Sequence, residues 1–226
     1  MSGTMVDIQV NGRTVHGYLS NVEGKTGPGL VVIQEWWGLV DHIKDVADRF
    51  AREGFVALAP DLYHGETTRS PDQAGKMLMA LNIAEAGKEI RGAVDHLLGL
   101  DSVEPKKVGV VGFCMGGQLA LYAACEHPDR VSAAVNFYGI HLKVELHPER
   151  LRGPVLAHFG KRDKSVPPEQ ARALVKRIEQ AGKEIEAHYY DAEHAFFNDH
   201  RPEVYDRRSA QQAWDRTLVF LKRTLR

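Results

Sequence analysis

Cysteine is scarce. Cys114 and Cys125 are the two cysteines in 226 residues, so there is no disulfide framework to propose and a reducing compartment suits the chain. No apolar run approaches the roughly eighteen residues of a membrane-spanning helix. Met1 to Val10 has neither the basic start nor the apolar stretch of a secretion signal. These absences predict a cytoplasmic protein with no membrane partner. Long runs of one charge are missing as well. The 29 basic and 30 acidic residues leave a formal charge of −1, which argues against a nucleic-acid or polybasic membrane surface. With no internal repeat, linker or low-complexity segment, residues 1–226 are expected to form a single domain.

Motifs for phosphates and metals are also lacking. The glycines fall in no Gly-x-Gly-x-x-Gly order, and no Gly-Lys-Ser/Thr closes a phosphate loop. There is no His-Glu-x-x-His, no Cys-x-x-Cys and no tight histidine pair, so neither a metal nor another cofactor is expected.

What the chain does have is alternation of strand and helix patterns. Asp7–Val10 and Thr14–Leu19 flank Asn11-Gly12 and predict an antiparallel hairpin. Gly29–Ile33, Phe55–Ala59 and Lys107–Val111 are apolar runs suited to strands buried on both faces, and Ala133–Tyr138, Val155–Phe159 and Glu186–Tyr190 add three more. Helical spacing appears at Ile43, Val46, Ala47, Phe50 and Ala51, over much of Asp72–Leu100, after Met115, from about Pro168 to Ala181, and from about Tyr205 to Leu225. The pattern predicts an α/β fold: a mostly parallel sheet with helices on both faces and an N-terminal antiparallel hairpin.

Gly112-Phe113-Cys114-Met115-Gly116-Gly117 joins an apolar strand to a helix. A side chain on so tight a turn needs glycine neighbours, and Gly112 and Gly116 flank Cys114 at spacing two on either side. The thiol is thereby presented at a helix N-terminus, where amide hydrogens favour a thiolate and later an oxyanion. Cys125 has no such setting and reads as a small buried hydrophobe.

A thiol nucleophile needs a base, and the base needs an acid to fix its tautomer. In a parallel sheet the loops after the strands are where such groups gather. Asp163 follows the strand ending at Phe159 and His194 follows the one ending at Tyr190, giving the order nucleophile, acid, histidine of α/β-hydrolases. Asp191 and Glu193 are competing acids on the histidine loop. Gln34-Glu35-Trp36-Trp37-Gly38 follows the first buried strand, where such folds place an oxyanion-hole amide, here that of Trp36, to be paired with the amide of Met115. Glu35 between an apolar strand and two tryptophans is expected to be partly buried and to serve as an acid or base near Cys114.

Together with Pro60-Asp61-Leu62-Tyr63 and Phe137-Tyr138-Gly139, these motifs resemble the dienelactone hydrolase family over the chain from about Gly29 onward. The resemblance implies the α/β-hydrolase fold and a Cys114-His194-Asp163 triad. It also implies that Glu35 holds the thiol protonated at rest and helps to ionise it when substrate arrives. Family members that open dienelactones bind the substrate carboxylate with two arginines, at positions held here by Gly65 and Asn198; Arg69 or Arg201 would have to substitute for them.

The expected reaction is hydrolysis of a small-molecule ester or lactone through an acyl-enzyme, not specific for carboxylate-bearing dienelactones. An acyl thioesterase and a catalytically silent binding protein on the same fold are the alternatives. Trp37, Phe113, Tyr138 and Phe196 are candidates to line the substrate site, with Trp36 and Phe197 beside them, and His64 is a candidate polar contact. A monomer or small homo-oligomer is expected.

Overall fold

The computed structural model describes residues 3–141 and 143–226. Its strands are β1 Thr4–Val10, β2 Arg13–Ser20, β3 Gly27–Ile33, β4 Val56–Pro60, β5 Val103–Phe113, β6 Ala133–Phe137, β7 Val155–Gly160 and β8 Ile185–Tyr190. Its helices are α1 Asp41–Arg52, α2 Pro71–Ala80, α3 Ile83–Gly99, α4 Met115–Glu126, α5 Pro168–Gln180 and α6 Arg207–Leu225. All eight strands join one sheet in the order β1-β2-β4-β3-β5-β6-β7-β8. β1 pairs with β2 and β2 with β4 antiparallel; every later pairing is parallel.

The hairpin turns at Asn11 and Gly12, both at positive φ, the twist that a two-residue hairpin turn requires. β3 and β4 are buried along their whole length, as strands covered by helices on both faces must be. On one face the sheet packs against α3, α4 and α5 through residues such as Ile90, Leu119 and Ile178; on the other it packs against α1 and α6 through Ile43, Phe50, Phe220 and Leu221.

The expected helical stretch over Asp72–Leu100 is two helices, α2 and α3. No glycine or proline breaks it. Instead Asn82 Oδ1 accepts a hydrogen bond from the Glu85 amide at 3.2 Å and caps a new helix, the local bond that Asn makes at an N-terminus. β5 begins earlier than the sequence pattern suggests, because Val103 pairs with Gly27 ahead of the apolar run. Tyr138 lies just outside β6 at φ 43, where the chain turns toward the site. No described helix is long and apolar enough to cross a membrane.

Candidate active site

The carboxyl ends of β3, β5, β6, β7 and β8 bring the candidate residues together. β5 ends at Phe113 and α4 begins at Met115, leaving Cys114 between them at φ 53 and ψ −120. A non-glycine residue there is strained, and the surroundings hold it in place. The Cys114 amide donates to Phe137 O at 3.0 Å, and Cys114 O accepts from the Gly117 amide at 2.9 Å. The glycine spacing has a direct steric cause. A Cβ on Gly112 would stand 1.9 Å from Gly116 O, and one on Gly116 would stand 2.5 and 2.6 Å from the carbonyl oxygens of Gln34 and Ile33. Met115 heads α4, so its amide is among those with no helical acceptor.

Asp163 sits in the β7–α5 loop with its side chain out of solvent. Its Oδ1 accepts from the amides of Ser165 at 2.8 Å and Val166 at 2.7 Å, which fixes the plane of the carboxylate. That leaves Oδ2 for His194 Nδ1, 2.8 Å away. Burial by itself would lower the pKa of the His194 ring. Its bonds to Asp163 and to the Cys114 sulfur, and the charges on both, outweigh burial and raise it to about 10. Asp191 and Glu193 are exposed and do not take this position.

Glu35 is 1 % exposed, so its burial is complete rather than partial. Its Oε2 accepts from Asn198 Nδ2 at 2.8 Å and its Oε1 from the Tyr138 hydroxyl at 3.4 Å. Burial, then the nearby Glu35 and Cys114 charges, push the Tyr138 hydroxyl well above its ordinary value, so it stays a neutral donor. Asn198 is buried and ties the loop after β8 to Glu35. Its place in the sequence is that of a family arginine, and here its amide bonds the buried glutamate.

These groups open on a cavity of about 420 Å³ lined by Cys114, His194, Glu35, Trp36, Tyr138 and Arg201 among others. Trp37 also lines it. Four expected contacts are elsewhere. Phe113 is fully buried, with ring centroids 4.7 Å from Phe137 and 5.3 Å from Phe197, because it faces the α1 and α6 side of the sheet. Phe196 is fully buried between Tyr138 and Tyr190, at 5.3 and 5.1 Å, and Phe197 belongs to the same core. His64 is exposed and turns to Glu89, 3.5 Å from its Oε1. Of the two arginines, Arg69 lines a neighbouring cavity while Arg201 reaches this one. Arg201 is already engaged, lying 5.2 Å over the Trp37 ring and bonding Glu203 at 2.8 Å.

Cys125 is buried, which pushes its thiol up to about 11. The sequence carries no metal motif, yet the fold gathers His42, Asp199 and His200 into one cluster, from α1 and from the loop after β8.

The geometry has counterparts. A family model described as "Dienelactone hydrolase family" matches residues 15–225. "Protein usf" of Aquifex pyrophilus is 37% identical over 230 residues, covering 99% of both chains. A protein of Aquifex aeolicus (strain VF5), provisionally named a carboxymethylenebutenolidase, is 33% identical over 231 residues, covering 99% of this chain and 100% of its own. Among solved structures, a dienelactone hydrolase-like promiscuous phosphotriesterase from metagenomic libraries superposes with a TM-score of 0.88 at 25% identity, covering 100% of each chain.

Proposed function

Since the chain belongs to the dienelactone hydrolase family and is a hydrolase of esters or lactones, we propose that it works through a Cys114-His194-Asp163 triad and a thioester acyl-enzyme. The observation that carries this reading is the His194 ring, tied at Nδ1 to Asp163 and interacting with the Cys114 sulfur on the cavity wall.

The Cys114 sulfur is among the groups that raise the His194 pKa, and in the proposed cycle His194 holds the proton that the thiol gives up. In the proposed cycle the Cys114 sulfur attacks the carbonyl carbon, and the carbonyl electrons move to the oxygen, which the amides of Met115 and Trp36 stabilise. An oxyanion donor of this kind is worth on the order of 10²–10³ in rate. Collapse of the tetrahedral adduct breaks the C–O bond as His194 passes its proton to the leaving alkoxide. Water then attacks the thioester with neutral His194 as base, and the sulfur leaves. In a lactone the leaving alkoxide stays tethered to the acyl group, so the product is a single hydroxy acid.

Glu35 is assigned a role in ionising the thiol. Its neighbours are two neutral donors, Asn198 and Tyr138, that hold it as a buried acceptor beside Cys114. The cavity wall combines Trp36, Trp37, Leu78 and Ile140, a lining suited to a small, largely apolar acyl or ring substrate.

The test is a panel of small esters, lactones and acyl thioesters assayed with purified protein and with Cys114→Ala. The reading expects turnover of esters or lactones that Cys114→Ala abolishes. Turnover confined to acyl thioesters would replace it with the thioesterase reading, and unchanged turnover in Cys114→Ala would overturn the nucleophile.

A further inference from the structure

We propose that His42, Asp199 and His200 form a binding site for a divalent transition-metal ion of the Zn²⁺ class, separate from the proposed catalytic triad. Their nitrogen and oxygen ligand atoms all lie within 4.8 Å of one another. Two imidazoles and one carboxylate suit Zn²⁺, Co²⁺ or Ni²⁺ rather than the all-oxygen preference of Ca²⁺ and Mg²⁺.

The second observation is an unpartnered buried side chain. His42 is 1 % exposed, and among the described residues neither of its ring nitrogens has a hydrogen-bond partner; Asp199 Oδ1 also lacks one. Buried imidazoles are normally satisfied. His158, at 0 % exposure, is bonded at one nitrogen to the Tyr190 hydroxyl at 2.9 Å and at the other to Thr217 Oγ1 at 3.0 Å. His42 Nδ1 and Asp199 Oδ1 stand 3.4 Å apart without the alignment of a hydrogen bond. Tetrahedral coordination with bonds of about 2.0–2.1 Å separates neighbouring ligand atoms by about 3.3–3.4 Å. That pair is therefore already spaced as one edge of such a site.

The surroundings fit an ion as well. Arg49 bonds Asp199 Oδ2, which orients the carboxylate and leaves Oδ1 for the metal, as an outer partner does for a ligating group. His200 is exposed, so its ring can swing the remaining distance. His42 and His200 line a cavity of about 740 Å³ that supplies an entry path and room for a water as fourth ligand. Such an ion would fasten α1 to the loop that also carries Asn198 and Arg201.

The experiment uses the Cys114→Ala protein, so that the thiol of the catalytic cavity does not capture the ion. Isothermal titration calorimetry with ZnCl₂ and thermal unfolding with and without Zn²⁺ are compared for this protein and for its His200→Ala and Asp199→Asn derivatives. The proposal expects one Zn²⁺ per chain, a raised Tm, and binding at least tenfold weaker in both derivatives. Co²⁺ should give visible bands without a thiolate charge-transfer feature. His200 is exposed, so its variant decides the matter even if Asp199→Asn does not fold. No saturable Zn²⁺ binding to the parent, or equal binding in His200→Ala, would overturn the site, and Ca²⁺ binding as tightly as Zn²⁺ would overturn the class of ion.

Discussion

Asn198 Nδ2 donates a hydrogen bond of 2.8 Å to Glu35 Oε2 across 163 positions of the chain, with both residues shut off from solvent. The bond links the loop after β3 to the loop after β8, and Glu35 lines the same cavity as Cys114. Asn198→Ala leaves a buried carboxylate with one of its two donors gone, at a cost of about 1–3 kcal/mol. The expected outcome is a lower Tm together with a fall in kcat/KM. If Asn198 acts through Glu35, a double-mutant cycle with Glu35→Gln will be non-additive in kcat/KM. Additive losses would mean that the two residues contribute separately.

The His194 ring should titrate far above an ordinary histidine. Its folded pKa, raised to about 10, lies above the unfolded value near 6.5. Its contribution to stability is therefore complete below about pH 6.5 and is withdrawn as the pH rises toward about 10. NMR of the ring should show the high value in the wild type and a lower one in Cys114→Ala, which loses the sulfur's bond and charge. An unchanged value in that variant would mean that Asp163 alone sets the ring's titration.

Asp163→Asn should reduce turnover by orders of magnitude while the fold survives, because an amide in that place supports the wrong tautomer of His194. Glu193→Gln should change little, since Glu193 is exposed. Circular dichroism beside steady-state kinetics separates lost chemistry from lost structure. Reversed effects of the two substitutions would move the acid to the histidine loop.

The eight strands, their mostly parallel arrangement and the opening hairpin follow from patterns short enough to read locally: alternation about Asn11-Gly12, the apolar runs of β3 and β4, the glycines around Cys114. The places of Asp163 and His194 follow from the rule that strand-following loops carry the chemistry. What sequence does not reveal is which way a side chain points at the end of a strand or in the loop after it. Phe113 precedes the elbow and Phe196 follows His194 by two positions, so both look adjacent to the site, yet each turns into the α1 and α6 core. The same blindness hid Asn198, whose role depends on a partner 163 positions away. His42 and Asp199 likewise meet through tertiary structure, with no spacing signature to announce them.

Substrate charge should matter little. Arg201 reaches the cavity but is held by Glu203 and the Trp37 ring, so a substrate carboxylate must displace existing partners to gain it. An uncommitted guanidinium contact to a carboxylate is worth roughly 1.5–3 kcal/mol, a preference of about tenfold or more in kcat/KM. A carboxylate-bearing lactone and its neutral methyl ester are therefore expected to react with similar kcat/KM. A strong acid preference that disappears in Arg201→Ala would show that the arginine leaves Glu203 for the substrate.

The central claim is that the acyl group passes through the Cys114 sulfur, and rapid-quench mass spectrometry with an activated aryl ester tests it most directly. The prediction is a burst of phenol matched by one acyl group per chain, carried on the peptide that contains Cys114. Cys125, buried with its thiol pushed up to about 11, should remain unmodified. Steady turnover with no acyl adduct on Cys114 at any quench time, persisting in Cys114→Ala, would contradict the account.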